Sequence, residues 1–129
     1  MKNILNIKYL NNNLLKYLNK MDGFPVSGKV LYDLLGSSSN FHNWFRYRSN
    51  KYSFKRIQDF WYENHKDENG VYHVVDYPMS FDMAKGLLLV ERTDESRLLY
   101  RFLIDKEKEL MRQVQNVYKP EKTPNPFED

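Results

Sequence analysis

The longest unbroken apolar run in this chain is four residues, Leu87–Val90, and that limit constrains what it can fold into. A membrane span takes about twenty apolar residues and a signal-peptide core about seven or more, so neither is expected. Apolar residues instead recur at helical spacing or in short bursts between polar stops. At 129 residues, 41% of them apolar, the chain can bury one ordinary core but not two. Aromatics supply 16% of the residues, ten of them tyrosine, so the core should lean on rings. Cysteine is absent, which excludes disulfides, thiolate metal sites and thiol catalysis. A small cytoplasmic domain is expected.

The spacing along the chain predicts the elements. Ile4, Ile7, Leu10, Leu14, Tyr17 and Leu18 fit an amphipathic helix, which Asn11, Asn12 and Asn13 should split, because asparagine competes for local hydrogen bonds. Asp22-Gly23-Phe24-Pro25 breaks it. Ser27 is placed to cap a helix carrying Val30, Leu31, Leu34 and Leu35, with Gly36 closing it. After the serines at 37–39, Asn40 can cap a helix with Phe41, Trp44, Phe45 and Arg48 at helical spacing. Phe60-Trp61-Tyr62, a polar tip ending in Asn69-Gly70, and Val71 to Tyr77 read as a β-hairpin, with Pro78 marking an edge. Ser80 can cap the next helix, with Asp82 in its first turn and Met83 and Leu87 inward. Thr93-Asp94-Glu95 opens the longest helix, to about Tyr118, apolar on a broad face (Leu98, Leu99, Phe102, Leu103) that thins to Leu110, Val114 and Val117. That stripe suits weak self-association, or a solvated helix end laid over its own domain. The fold class is α+β: a small single domain of short helices around one β-hairpin, with a long C-terminal helix. Residues 1–23 form a helical extension and 24–118 the domain. Residues 119–129, with Pro120, Pro124 and Pro126, form a disordered tail or linker stub.

The net charge of +3 is unevenly spread. Residues 37–58 hold Arg46, Arg48, Lys51, Lys55 and Arg56 and no acid, whereas residues 59–129 hold ten basic and fifteen acidic residues. In 41–56 those five cations alternate with six aromatics, a composition that suits phosphate or an acidic protein surface. The bland account puts Phe41, Trp44 and Phe54 in the core, with the cations solvating the outer face, and the two accounts are compatible. Catalytic constellations are missing from the pattern. His42, His65 and His73 are too sparse for zinc or an HNH-type nuclease site, even with Glu63 and Asp76 nearby. No glycine-rich phosphate loop or nucleophile elbow exists. Neither enzyme activity, a metal nor a cofactor is expected.

Pro25-Val26-Ser27-Gly28-Lys29-Val30-Leu31-Tyr32, Leu35-Gly36, Phe41, Asn43-Trp44-Phe45, Tyr52-Ser53-Phe54 and Asp59-Phe60 stand in an order that resembles the AntA/AntB antirepressor domain of phages and prophages. Met79-Ser80-Phe81-Asp82-Met83-Ala84-Lys85, Glu91-Arg92-Thr93, and Phe102-Leu103-Ile104 to Glu107-Lys108 extend the resemblance over roughly residues 24–109. The chain departs from the family at Lys29 and Val30, usually arginine and an acid, and at Ser96 and Tyr100, usually glycine and arginine. Many members also carry a second, C-terminal DNA-binding domain, so the tail suits either a stub or a short natural end.

The resemblance implies an antirepressor in the bacterial host cytoplasm that binds a phage repressor or other regulatory protein and controls lysis against lysogeny. Similarity to the Bro-N and KilA-N group keeps DNA binding open as an alternative. The partner- or nucleic-acid-binding residues would be Asn43, Arg46, Arg48, Lys51, Lys55 and Arg56, with Ser39, Asn40 and Asn43 as base readers if DNA is bound. Asp82, Met83, Ala84 and Lys85 form the family motif, read as structural. A third reading is a counter-defence protein that presents its acidic half, Asp94, Glu95, Asp105, Glu107 and Glu109.

Overall fold

Each helix begins where a side chain can satisfy its free N–H groups. The computed structural model describes residues 6–37 and 39–117, with side chains described as far as Gln115. Asn6 Oδ1 accepts from the Tyr9 N–H at 3.0 Å and opens α1, Ile7–Tyr9. The chain then widens into a single π-helical turn over Leu10–Leu14. Asn13 Nδ2 donates to the Tyr9 carbonyl at 3.1 Å, a group that a regular helix would give to its own backbone. The asparagine run thus splits the segment as expected; Ile4 lies outside the described residues.

Ser27, Asn40 and Ser80 cap α2 (Gly28–Leu35), α3 (Phe41–Lys51) and α4 (Phe81–Glu91), each side chain accepting from the N–H three residues on. Gly36 closes α2 at φ 68°. Arg92, at φ 55°, ends α4 and turns the chain into α5, Asp94–Val117. Thr93 and Ser96 cap each other reciprocally at 3.0 and 2.9 Å. Ser96 is 1% exposed, so its hydroxyl serves the start of the last helix. The expected helix end at Tyr118 and the tail at 119–129 lie outside the described residues.

Two small antiparallel sheets complete the α+β fold. One is the expected hairpin, β2 (Glu63–Lys66) with β3 (Tyr72–Asp76), which sets His65 opposite His73. Asp67 Oδ1 accepts from the N–H groups of Asn69 and Val71 at 2.9 Å each, and Gly70 takes φ 81°. This turn chemistry folds the tip locally.

Three expectations about this region are corrected. Phe60-Trp61-Tyr62 is not the start of β2. Phe60 instead bridges Met79, and the Trp61 N–H donates to the Pro78 carbonyl at 2.8 Å. A second sheet exists, in which β1 (Val26–Ser27) pairs with β4 (Pro78–Met79). Pro78 is therefore not at an edge. It lies buried between β1 and the 60–61 segment, because the carbonyls of Tyr77 and Pro78 serve the two sides and no N–H from proline is needed.

The core gathers under this second sheet. Leu10 and Leu14, Val26, Leu31, Met79, Met83, Leu87, Leu99 and Leu103 are fully buried. Phe41, Trp44 and Phe45 close it from α3, with Phe45 stacked on Tyr77 at 3.8 Å and Phe60 edge-on at 4.8 Å. Phe54 packs against it half-buried. Leu98 departs from the expected apolar face and is 48% exposed, since Leu99 and Leu103 already fill the contact with α4. The second half of α5 thins as expected, with Met111 56% and Val114 51% exposed.

A buried polar hub joins the first segment, α2 and the hairpin. Asp76, 3% exposed, accepts from the Tyr17 hydroxyl (2.9 Å), Ser27 Oγ (2.6 Å) and the N–H groups of Lys29 (2.8 Å) and Tyr77 (2.7 Å). Burial, reinforced by the Asp76 carboxylate, pushes the Tyr17 phenol far above its ordinary value, and burial also raises Tyr77. An unfolded tyrosine loses its proton near pH 10, whereas the native state keeps it. Above that pH the unfolded chain binds fewer protons, so stability falls as pH rises, by up to about 1.4 kcal/mol per unit for each such phenol. Denaturant unfolding at stepped alkaline pH should show this slope, shallower in Tyr17→Phe. A Tyr17→Phe slope equal to wild type would remove Tyr17 from the account.

Candidate functional site

Helix α3 presents two unlike faces because its apolar residues recur at three and four. Phe41, Trp44, Phe45 and Ser49 turn inward, while Asn43, Arg46, Tyr47, Asn50 and Lys51 are exposed. The Asn40 cap fixes where the helix starts and hence which residues face out. Beyond it, the loop carrying Lys55 and Arg56 is held by its own backbone. The Phe54 N–H donates to the Ser49 carbonyl at 2.9 Å, Lys55 and Asp59 bond each other twice at 2.8 Å, and the Ser80 N–H donates to the Asp59 carbonyl at 2.9 Å. At its tip Ile57 stands at φ 76° and 67% exposed. A β-branched residue in that backbone region is strained; the Ile57 N–H, donated to the Phe60 carbonyl at 2.8 Å, keeps it there with its apolar side chain out in solvent.

The five expected cations do not share one fate. Arg48 is drawn into the domain. Its Nη2 lies 2.7 Å from Glu91 Oε1 with both side chains largely buried, and its guanidinium lies 5.7 Å from the Trp44 ring centre. Arg46, Lys51, Lys55 and Arg56 remain exposed, as does Asn43. Lys51 lies over the rings of Tyr47 and Tyr52 at 5.5 and 5.6 Å, and contact with the Tyr47 hydroxyl raises its ammonium above the usual value. Arg56 lies 6.0 Å from the Trp61 ring and 5.7 Å from that of Tyr62. Each of these cations therefore stands with aromatic surface that is itself accessible: Tyr47 is 59% exposed, and Tyr52 and Trp61 are 37% exposed. Ser39 and Asn40, exposed at the head of α3, complete the segment.

Beside this face, Ser37, Ser39, Asn43, Trp44, Tyr47 and Arg48 line a small open pocket. Trp44 Nε1 and Arg48 Nε are both buried without a hydrogen-bond partner. Sequence reasoning placed Trp44 in the core, where its ring lies, and had no signal for its N–H. It also missed Ile57, whose exposure depends on a backbone angle that residue type alone does not reveal.

The remaining candidates are in structural contacts. In the run 82–85 Met83 and Ala84 are fully buried, Asp82 is 87% exposed, and Lys85 Nζ reaches Glu107 Oε1 at 2.8 Å and Asp82 at 3.4 Å. This run thus ties α4 to α5, and the bond to Glu107 raises the Lys85 ammonium. In the acidic half, Asp94 pairs with Arg97 at 2.7 Å and Glu109 lies 3.7 Å from Lys106. His65 and His73, though opposite one another, reach different carboxylates, Glu63 at 3.6 Å and Asp67 at 2.7 Å. His42 Nδ1 meets the Tyr77 hydroxyl at 2.9 Å. Among the described residues no group of three or more histidines and acids could hold a metal ion, and no helix is long and apolar enough to cross a membrane.

Comparison with protein-family models matches residues 26–93, just over half of the chain, to AntA/AntB antirepressor. No curated protein and no solved structure matches the chain. The matched span runs from β1 through α2, α3, the loop, the hairpin and α4, and so contains the whole exposed face of α3.

Proposed function

Since the chain belongs to the AntA/AntB antirepressor family, we propose that it binds a phage or prophage repressor in the bacterial cytoplasm and relieves repression, tilting the choice between lysis and lysogeny. The family is regulatory and non-enzymatic, and its members in general engage a repressor or other regulatory protein. The observation that carries the finer reading is the mixture along α3 and the loop that follows it. Ile57, Tyr47 and Trp61 stand exposed among Arg46, Lys51, Lys55 and Arg56. Tyrosine, tryptophan and arginine are the side chains that dominate protein interfaces, whereas phosphate contacts have no use for an apolar knob. Direct DNA binding is the second reading, supported by the acid-free stretch 37–58. Weak pairing of two copies would rest on Leu110, Met111 and Val114, where α5 continues past its contact with α4.

Adding the purified chain to a preformed complex of a neighbouring-gene repressor with its operator separates the readings. Free DNA should appear on a native gel, together with a protein–protein complex that persists at moderate salt. A slower band, or a shift of operator DNA without repressor, would replace this reading with DNA binding. The affinity would then fall steeply as salt rises.

A further inference from the structure

Resting on the reading of this chain as a repressor-binding protein, we infer that the hollow between the loop after α3 and the turn at 20–24 seats a large apolar side chain from an acidic segment of the partner. Lys20, Met21, Asp22, Phe24, Ile57 and Trp61 line this hollow, which measures about 360 Å³. That is the low end of the range for ligand pockets, room for one anchor side chain. Its walls are set before a partner arrives. The Ile57 N–H is donated to the Phe60 carbonyl and the Trp61 N–H to that of Pro78, each at 2.8 Å. On the other side, the N–H groups of Lys20 and Met21 both donate to the Tyr17 carbonyl at 3.0 Å, and the Tyr17 hydroxyl is fastened to Asp76. Ile57 and Trp61 are 67% and 37% exposed, so the apolar wall meets solvent until something covers it. The turn precedes the matched span 26–93, so half of the hollow comes from outside the stretch that the family model describes.

Charge decides the chemistry around that anchor. A second, larger hollow shares Lys20, Met21 and Trp61 with the first and carries Lys16 as well. Lys16 and Lys20 are exposed, and Arg56, also exposed, lies over the Trp61 and Tyr62 rings at 6.0 and 5.7 Å. Other charges of the two linings are already matched. Lys29 Nζ is held by Asp33 at 2.9 Å, Asp76 accepts from four donors, and Glu63 lies 3.6 Å from His65. Asp22 is the exposed acid of the linings. Exposed cations thus outweigh exposed acid, which favours carboxylates on the incoming segment. Lys20, common to both hollows, stands where a carboxylate beside the anchor arrives. A nucleic acid fits less well. Its phosphates repeat at every nucleotide, and it has no side chain for the apolar hollow. Arg56 also covers a face of Trp61 on which a base would stack.

The probe is the peptide acetyl-Asp-Asp-Leu-Asp-Asp-amide, titrated into the full chain. The chain has two tryptophans, and the indole ¹⁵N resonance lost in Trp61→Phe is that of Trp61. That resonance should shift saturably with the peptide. Binding should weaken severalfold when alanine replaces the peptide's leucine or lysine its aspartates. Ile57→Asn should weaken the peptide about tenfold with stability unchanged or raised, since asparagine tolerates a positive φ. Lys20→Glu should reverse the preference in favour of the lysine peptide, which loss of a merely structural lysine would not do. No shift at millimolar peptide, or an unchanged preference in Lys20→Glu, overturns the inference. Tighter binding of a short oligothymidylate replaces it with a nucleic-acid site. The operator-release assay separates this inference from the reading beneath it. If Ile57→Asn and Lys20→Glu release repressor as well as the wild-type chain does, this hollow is not the repressor's seat and the inference falls alone. If the peptide binds as expected but no form releases repressor, the peptide site stands and the antirepressor reading falls.

Discussion

Asp76→Ala should cost this domain about 3–5 kcal/mol, a large part of the roughly 5–15 kcal/mol that holds a typical domain together. The carboxylate is buried, and four donors converge on it: Tyr17 from the first segment, Ser27 and the Lys29 N–H from the start of α2, and the Tyr77 N–H after the hairpin. Removing the acceptor leaves all four without their partner. Each unmet buried donor costs about 1–3 kcal/mol, and partial relaxation brings the sum below simple addition. Asp76→Asn should lose less, about 1–2 kcal/mol, because its oxygen can keep the two backbone N–H groups while its amide donates to a hydroxyl. Urea unfolding measures both, with the midpoint falling and the slope unchanged. A loss below about 1 kcal/mol for alanine would mean that the hub does not join the first segment to the domain.

That hub also shows where sequence reading stops. Ser27, Asn40, Ser80 and Gly36 were legible because a cap is a local event, settled within three or four residues. The hairpin tip was legible for the same reason. The sequence marks Asp76 only as an acid near His65 and His73, because its partners Tyr17 and Ser27 lie 59 and 49 residues away. The β1–β4 sheet is two residues wide on each side, too short to leave an alternating pattern, so the sequence at Pro78 reads as an edge.

The candidate site divides along the same line. The aromatic and basic composition of 41–56 was visible, and so was the inward turn of Phe41, Trp44 and Phe45. That Arg48 leaves the surface for Glu91 was not, since helical spacing places a residue on a face but does not name its partner across the fold. Leu98 failed in the other direction: it has the spacing of a core residue, yet it stays 48% exposed in a hollow shared with Ile7 and Asn11.

The split between Arg48 and the other cations leads to the second large effect. Arg46→Glu combined with Arg56→Glu should weaken capture of the repressor by about tenfold or more for each site, mostly through slower association. Both positions are exposed, so stability should stay within about 0.5 kcal/mol of wild type. Arg48→Ala should do the reverse. It strips the ion pair from Glu91, whose side chain is only 16% exposed, and should cost about 1–3 kcal/mol of stability. Measured well below its unfolding transition, the Arg48→Ala protein should still capture repressor to within a few-fold, because its guanidinium faces Glu91 rather than the partner. Unfolding curves and association rates on the same three proteins test this directly. If Arg48→Ala abolishes capture while the double reversal leaves it intact, the contact lies in the pocket wall and not on the exposed cations, and the α3 face as drawn is wrong.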